Sequence, residues 1–470
     1  MKLKNSKKVS GLSVALLAAS TFLTGGAFAH AQTLQDALRQ TTVSGMVGAT
    51  DFAYANAGHT GNFANGFGVG GNITVHTGAL DGFSVGVAGY TGQSIGLYAS
   101  KKNAAHDDTE LTGSHHSLQS IRESYLQYEN SWLEVRGGRQ FINTPYANQD
   151  WYTFSPRSFM GFAGVVNVIG TNSNYADSAP LSLNTSTAEM SVFAARIFGY
   201  NSRYSSTFTT GNRYLARSNG FIVGGARYQN SFAGVNYGLQ GWYYDFYGLA
   251  QLVYGQADFS APVSADSTVF GAVQGMGEGN SSTRSANFVG FTTNNNVNAH
   301  IYGAKLGMSF GKDNVAVIGD YSPASVNSYR HGGGIHPYND NSGTTFTDTM
   351  QTGIMDFGPG YAVGVTGNVF LLNDKLEISP TYVEYEVDYG YGGNTFSYGG
   401  TYGFNVSTPA IHDEKIHVID SNFNYDLSSV VKGLSVDWDT DAAFAENGNL
   451  PSQHYNNPYF SSRAYVKYVF

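Results

Sequence analysis

The sequence contains no cysteine, so neither disulfide bonds nor thiolate metal sites can stabilise the fold. Charged residues are scarce as well: Asp, Glu, Lys and Arg make up 13% of the chain, against a usual ~25%. Apart from residues 11–23, no apolar run approaches the length of about 18 residues that a membrane-spanning helix requires. Helical periodicity is limited to a short amphipathic segment at 33–40. A helical membrane protein is therefore excluded.

Glycine and aromatic residues are abundant instead. Gly accounts for 59 of the 470 residues, nearly twice the usual ~7%, and aromatic residues for 14%, with 33 Tyr and 30 Phe. A chain without spanning helices can cross a bilayer only as a closed β-barrel, because every backbone polar group in lipid must be paired. Few charges and many aromatic residues therefore predict an all-β fold, a transmembrane antiparallel β-barrel.

The N-terminal 31 residues have the pattern of a secretory signal peptide. Four lysines within residues 1–8 precede the apolar run 11–23, which small residues follow. This run of about 13 residues is shorter than the ~20 of a membrane anchor. We predict cleavage after Ala31, with Ala29 as the alternative, and a single barrel domain over 32–470. The exported chain then has 21 basic and 34 acidic residues, a net charge of −13, which argues against nucleic acid as a partner.

From residue 43 onward, segments with two-residue alternation are separated by stretches rich in Gly, Asn, Asp and Ser. We predict eighteen strands, an even number, as a bacterial barrel with both chain ends on the periplasmic side requires. Short periplasmic turns alternate with longer external loops, except for a tight external turn at 245–247. The predicted strands are 43–52, 67–77, 83–98, 117–129, 132–140, 158–169, 188–199, 219–229, 233–244, 247–259, 268–275, 298–310, 314–322, 360–371, 375–387, 414–425, 433–444 and 461–470.

Two strands show most clearly which side chains face outward. In 298–310, Tyr302 and Phe310 lie on the predicted lipid-facing side, and Lys305 lies on the opposite side. In 433–444, Trp438 belongs to the apolar side. The lumen side of that strand carries three acids: Asp437, Asp439 and Asp441.

Basic side chains on the lumen-facing parity form the predicted pore lining: Arg136, Arg196, Lys305, Arg463 and Lys467, with Arg122, Arg139 and Arg227 as less regular additions. In a narrow, wet passage such cations attract and orient anionic solutes. The alternative is local pairing with acids, because Asp437 and Asp439 are expected on the strand beside Arg463 and Lys467.

The loop after the fifth strand, about 140–157, is the predicted constriction, since its prolines and aromatic residues favour a defined shape. An ordinary external loop is the alternative. The segment 331–337, HGGGIHP, predicts a mobile external loop rather than a phosphate cradle. His115 and His116, beside the acidic 106–110, fit an exposed loop better than a metal site. We predict no catalytic residues, no metal and no cofactor.

Three segments resemble the OprD-type outer-membrane porins, and also the related epsilonproteobacterial major outer-membrane porins. They are WLEVRGGRQFINTPYANQDWYTFSPRSFMGF (132–162), GWYYDFYGLAQLVYGQADF (241–259) and HIYGAKLGMSFGKDNVAVIGDYSP (300–323). The first is similar to that family's fifth strand, third loop and sixth strand. The last strand ends in Tyr468 and Phe470, which is similar to the C-terminal signal read by outer-membrane assembly machinery.

The resemblance implies an 18-stranded barrel with an arginine-rich wall facing acidic groups near the third loop. It implies diffusion of small solutes, often carboxylates or amino acids. By motif position, Arg136, Arg139 and Arg157 are expected at the eyelet or its wall, with Asp150 as the loop acid. The overall acidity and the Tyr- and Gly-rich segment 388–413 depart from that pattern, which leaves a less selective or cation-tolerant pore open.

The expected protein is therefore a porin of the bacterial outer membrane. It would pass small hydrophilic solutes, with a preference for anionic or carboxylate-bearing ones. Lipid, lipopolysaccharide and the assembly machinery are the expected partners, and the oligomeric state is left open between monomer and homotrimer. The alternatives are a structural or adhesive barrel with a plugged lumen and an enzyme that uses the barrel as a scaffold.

Overall fold

The computed structural model describes most of the chain: residues 33–57, 62–95, 111, 117–151, 153–171, 180–183, 186–212, 214–215, 217–282, 296–325, 328–338, 344–350, 353–389, 396–398, 404–406, 411–446 and 455–470. The predicted signal peptide and its cleavage sites, the acidic segment 106–110, and His115 and His116 lie outside these residues. Among the described helices, none has the length and apolar character needed to cross a membrane.

Eighteen antiparallel strands form one sheet within the described residues. They are β1 (Thr42–Ala57), β2 (Asn62–His76), β3 (Phe83–Ser94), β4 (Ser117–Glu129), β5 (Leu133–Gln140), β6 (Ser158–Ile169), β7 (Met190–Asn201), β8 (Phe221–Phe232), β9 (Val235–Phe246), β10 (Ala250–Pro262), β11 (Ser267–Asn280), β12 (Asn298–Phe310), β13 (Asp313–Ser322), β14 (Gly360–Leu371), β15 (Leu376–Tyr389), β16 (Ile411–Asp426), β17 (Leu434–Ala445) and β18 (Tyr455–Val469). The predicted strand number and order are confirmed.

Short elements complete the described structure. The helix α1 (Leu34–Arg39) precedes β1, and its N-terminus is capped by the Thr33 hydroxyl. A 3-10 turn (Tyr329–His331) and the helix α2 (Ile354–Phe357) lie between β13 and β14. Two short hairpins are built from Asn143–Thr144 with Ala147–Asn148 and from Phe396–Tyr398 with Phe404–Val406.

The sheet closes between its first and last strands. β1 pairs with β18 from Met46 opposite Val469 onward, and β1 pairs with β2 on its other side. Gly45 and Phe470 exchange both backbone hydrogen bonds, each at 3.0 Å. The C-terminal residue is therefore held in the ladder, and the seam leaves no unpaired strand edge between β1 and β18.

The outer surface of the barrel is apolar where alternation predicted it. On β12, Tyr302 and Leu306 are 53% and 60% exposed, and on β17 Trp438 is 45% exposed. The opposite parity of β17 points inward, where Asp439 and Asp441 are buried. An exposed apolar belt around a closed sheet suits contact with hydrocarbon rather than water.

Strands β1, β2 and β18 are longer than predicted. β1 and β2 extend to Ala57 and back to Asn62, and β18 begins at Tyr455. Nine of the sixteen added residues are Ala or Asn, and the five aromatic residues among them form no continuous two-residue alternation. Their backbones still pair, because the ladder continues beyond the part of the wall where one face is apolar.

Candidate functional site

The loop between β5 and β6, residues 141–157 (the constriction loop), crosses the inside of the barrel. At one end of its span the ring of Phe154 packs edge-on against Tyr465 of β18, with centroids 5.7 Å apart. At the other, Tyr146 packs between Tyr244 of β9 and Tyr254 of β10, at 5.9 and 5.8 Å. Halfway around a ring of eighteen strands is nine strands, so these two walls face each other and the loop spans the diameter.

Phe154 is accommodated by glycines on the inward face of the wall. Its ring is fully buried and lies against Gly68 and Gly70 of β2 and Gly92 of β3. A Cβ at Gly70 would stand 2.6 Å from the ring and 2.4 Å from the Thr91 carbonyl oxygen. Only glycine at this position allows the aromatic anchor to dock.

The loop is latched by one carboxylate and two arginines. Asp150, at φ +39°, accepts hydrogen bonds from Arg157 at 3.1 Å and from Arg203 at 2.9 Å. All three side chains are less than a tenth exposed. Arg157 also donates to the Tyr338 carbonyl oxygen at 2.8 Å. Asp150 and Arg157, expected near the constriction, thus lie in its latch, and Arg203 joins them from the β7–β8 connection.

A second inner loop, residues 323–359 between β13 and β14, meets the constriction loop inside the barrel. Tyr338 forms a parallel bridge with Ala147, and the Thr344 hydroxyl donates to the Pro145 carbonyl oxygen at 3.0 Å. The segment 331–337, predicted to be a mobile external loop, belongs to this inner loop: His331, Ile335 and His336 are buried. That prediction is wrong, because the backbone of the segment docks on the wall.

Carboxylates of the wall hold the second inner loop by its backbone. Glu278 of β11 accepts from the Ile335 amide at 2.7 Å, and Asp320 of β13 accepts from the Thr347 amide at 2.7 Å. Asp420 of β16 accepts from the Met350 amide at 2.8 Å. Hydrogen bonds inside a barrel, away from competing water, stabilise the docked loop more than bonds exposed to water would.

Asp348, within the second inner loop, provides a pH-dependent test. Its carboxylate accepts from the Thr344 and Thr345 amides, each at 2.9 Å, and burial, with help from Asp320, raises its pKa from 3.8 to about 7. The folded protein holds the Asp348 proton to a higher pH than the unfolded chain does. The contribution of this group to the free energy of unfolding is therefore complete below pH 3.8 and is lost as the pH rises toward 7. We expect the melting temperature of Asp348→Asn to fall less than that of the wild type between pH 4 and 8, as measured by thermal denaturation. Equal pH dependence in both proteins would contradict this assignment.

The cross-strand pairing considered for the last two strands is confirmed. Arg463 of β18 forms an ion pair with Asp439 of β17, and Lys467 pairs with Asp437 at 2.5 Å. All four side chains are at least nine-tenths buried. Since each of these cations faces an adjacent acid, the two add no net positive charge to this part of the lining, where Asp441 is also buried.

Arg136 and Arg122 lie on the inner wall with their donors directed at protein oxygens. Arg136 donates to Gln127 at 2.6 Å and to Glu134 at 2.8 Å. Arg122 donates to the carbonyl oxygens of Ser202 and Ser205 at 2.7 and 2.8 Å, and so anchors the β7–β8 connection. A register shift between β3 and β4 turns both Arg122 and Glu123 inward, which strict alternation did not predict.

Arg196 lies on the outer face of the barrel, not in the lumen as expected. It is opposite Phe162, which is 61% exposed, and its guanidinium stacks on Phe198 at 4.5 Å and Tyr247 at 4.8 Å. The prediction failed because the apolar side of β7 faces inward: Phe193 and its neighbours two residues apart are covered by the inner loops.

Arg139, which was also expected in the pore lining, lies on the outer face of the barrel. Its cross-strand partners are Ser124 on β4 and Met160 on β6, which share the outward parity of exposed Val135. Its guanidinium stacks over Phe208 at 4.6 Å. Arg139 lies next to the last residue of β5, so no apolar residue follows it two positions later on the same strand. The alternation pattern therefore could not show which face of the sheet its side chain occupies.

Lys305 of β12 is an inward cation that carries no ion pair within 4 Å among the described residues. Its ammonium group lies 5.3 Å from the Phe346 ring and 5.9 Å from the Phe270 ring. Asp258 of β10 interacts electrostatically with it and with Arg227 of β8. These three strands therefore present a mixed-charge patch to the lumen.

Comparison with known proteins identifies the fold. No protein-family model matches the sequence, and no curated protein matches it significantly. A BenF-like porin from Pseudomonas fluorescens Pf-5 is 13% identical with a TM-score of 0.70, over 92% of this chain and 99% of that chain. Pseudomonas aeruginosa OccK2 (OpdF) in complex with glucuronate is 13% identical with a TM-score of 0.69, over 94% of this chain and 99% of that chain. Pseudomonas aeruginosa OpdK with vanillate is 13% identical with a TM-score of 0.63, over 91% of this chain and 98% of that chain. The fold implied by the sequence resemblance is confirmed.

Proposed function

We propose that the protein is a porin of the bacterial outer membrane, through which small hydrophilic solutes diffuse. The observation that carries this proposal is the constriction loop, which spans the lumen from Phe154 to Tyr146 and is latched in place by Asp150. A fixed loop across a wide barrel divides it into narrower passages and so limits solute size. The apolar outer belt and the solved porins with this barrel support the membrane location.

The mechanism requires no covalent step. Solutes enter from the mouth that carries the long loops, pass between the constriction loop and the wall, and leave at the mouth where the chain ends lie. Size exclusion comes from the loop, and orientation comes from charged groups of the wall, whose fields are strengthened by confinement.

Tyr468 and Phe470, exposed at the end of β18, are the proposed signal for assembly into the membrane.

A preference for carboxylate-bearing solutes is the finer part of the proposal. It rests on Lys305, whose ammonium faces the lumen beside two aromatic rings that can contact the body of a solute. The ligands of two proteins with this fold, glucuronate and vanillate, both carry a carboxylate. Arg463 and Lys467, by contrast, are already neutralised by their aspartates.

Replacing Lys305 with Gln is expected to lower the anion-to-cation permeability ratio, because it removes one positive charge from the wall. The measurement is the reversal potential of reconstituted channels in a salt gradient. The matched control is Arg139→Gln with Arg196→Gln, which removes two charges from the outer face and should leave the reversal potential as in the wild type. A larger change in the control than in Lys305→Gln would contradict the assigned roles.

One observation favours a second candidate, a barrel with a plugged lumen that acts in structure or adhesion. Side chains on the inward faces of β6–β10 are largely apolar and form one core with the inner loops. That part of the lumen is filled. The polar wall of β16–β18, with Asp439, Asp441 and Arg463, argues for a wet passage along the other side, and stepwise conductance distinguishes the two candidates.

A further inference from the structure

The connection between β6 and β7 is unusually long for the mouth at which it lies. This mouth, where β1 begins and β18 ends, is called the terminal mouth. The other described strands are joined there by connections of two to seven residues: 77–82, 130–132, 233–234, 263–266, 311–312, 372–375 and 427–433. The β6–β7 connection occupies 170–189, although Ile169 and Met190 are direct cross-strand partners that a tight turn could join.

Within this connection, residues 180–183 and 186–189 are called the strap, and residues 181–183 lie inside the barrel. Leu181 and Leu183 are 2% and 0% exposed. They belong to the same apolar core as Val165 of β6 and Phe193 of β7, whose side chains point inward. The strap therefore enters the lumen from the terminal mouth, opposite to the mouth from which the constriction loop descends.

Inside the barrel the strap pairs with the base of the constriction loop. The Asn143 amide donates to the Leu181 carbonyl oxygen at 2.8 Å, and the Leu181 amide donates to the Phe141 carbonyl oxygen at 3.1 Å. Ile142 and Leu181 form a parallel β-bridge. Ile142 is fully buried, so these bonds are made away from water, where breaking them leaves unsatisfied backbone groups.

The other end of the strap is fixed to the wall. The Gln229 side chain of β8 donates to the carbonyl oxygens of Ser186 and Ala188, at 3.2 and 2.9 Å. The Ser186 hydroxyl donates to Asn167 of β6 at 3.0 Å. The strap thus links two wall strands near the terminal mouth to the loop that comes from the opposite mouth.

We propose that the strap is a specificity-determining element of the pore: it fixes the base of the constriction loop and thereby sets the solute size limit. This inference rests on the proposed function. The Asp150 latch holds the end of the loop that leads to β6, and the strap holds the end that leaves β5. Tyr146 lies only a few residues beyond the strapped base, so a shift of that base moves the part of the loop that crosses the lumen.

A reversible cross-link tests the coupling without disturbing the barrel. Because the chain has no cysteine, Ile142→Cys with Leu181→Cys introduces a single possible disulfide. Neighbouring paired strands lie about 4.8 Å apart, within the ~4.4–6.8 Å between Cα atoms that a disulfide spans. Oxidation is expected to keep the wild-type conductance and to reduce transitions between current levels, and reduction should restore them. The single variant Leu181→Cys should not respond to oxidant.

A deletion tests the size limit itself. Replacing 171–188 by Asn-Gly joins Gly170 to Glu189 in a tight turn and removes the strap. We expect a higher single-channel conductance and entry of larger polyethylene glycols than in the wild type. Folding of this variant is checked by its heat-modifiable migration in gels; if it does not fold, the cross-link alone decides.

The inference is overturned if the wild type conducts, the folded deletion keeps its conductance and size limit, and the oxidised pair shows the same current transitions as the reduced pair. For an unfolded deletion, unchanged transitions on oxidation suffice to overturn it. A wild-type protein without conductance would instead contradict the proposed porin function. The two failures are therefore distinguishable.

Discussion

Replacing Asp150 with Ala is expected to release the constriction loop. The substitution removes the carboxylate that Arg157 and Arg203 share, and all three side chains are nearly inaccessible to water. Removing one partner of a buried ion pair typically costs about 3–5 kcal/mol. We expect the docking of the loop to be weakened by this amount. Amide exchange in peptide 146–157 should then be faster by roughly two to four orders of magnitude. Hydrogen exchange read by mass spectrometry measures it.

The matched control for Asp150 is an exposed pair of the same type. Lys312 and Asp374 form an ion pair between two turns at the terminal mouth, with side chains 58% and 50% exposed. Asp374→Ala should cost no more than about 1 kcal/mol, because water screens such a pair. If Asp150→Ala left exchange in the loop as slow as this control does, the latch would have no energetic role.

Removing the centre of the constriction loop is expected to enlarge the passage. Replacing 144–155 by a short Gly-Ser linker deletes both anchors, Tyr146 and Phe154, while leaving the strapped base 141–143 in place. Single-channel conductance should rise severalfold and the size limit should increase, because the obstacle across the diameter is gone. Planar-bilayer recording with polyethylene glycols of graded size measures both.

The control for that variant shortens a connection that stays outside the lumen. Residues 263–266, all exposed at the terminal mouth, can be replaced by Asn-Gly. This change should leave conductance and size limit unaltered. A loop deletion that also conducts like the wild type would show that the passage is limited elsewhere.

The fold could be predicted from the sequence because the outward face of each strand obeys a local rule. Residues two apart on β12 and β17 meet the same apolar surroundings, so their alternation is visible in the chain itself. Alternation does not show which side chains face outward on a strand whose two faces are both apolar. On β7, Phe193 faces an inner core and Phe198 faces outward, and nothing local distinguishes them. Arg196 was therefore assigned to the wrong side.

The site was less predictable because its contacts join distant parts of the chain. The family resemblance implied Asp150 as the loop acid and Arg157 as an eyelet or wall residue, but Arg203 lies 53 residues from Asp150. The Tyr338 carbonyl oxygen that Arg157 contacts lies 181 residues away. The strap had one available signal, its length at a mouth of short turns. The predicted strands 158–169 and 188–199 already leave this long connection, but the sequence does not show that it turns into the barrel.

The most direct test of the proposed pore is single-channel recording of the purified, refolded wild-type protein in planar bilayers, with polyethylene glycols of graded size. We predict stepwise conductance well below that of the variant lacking 144–155, and exclusion of polymers that this variant admits. Absence of stepwise conductance in correctly folded protein would contradict it and favour the plugged barrel. Equal conductance in the two proteins would contradict the role of the constriction loop.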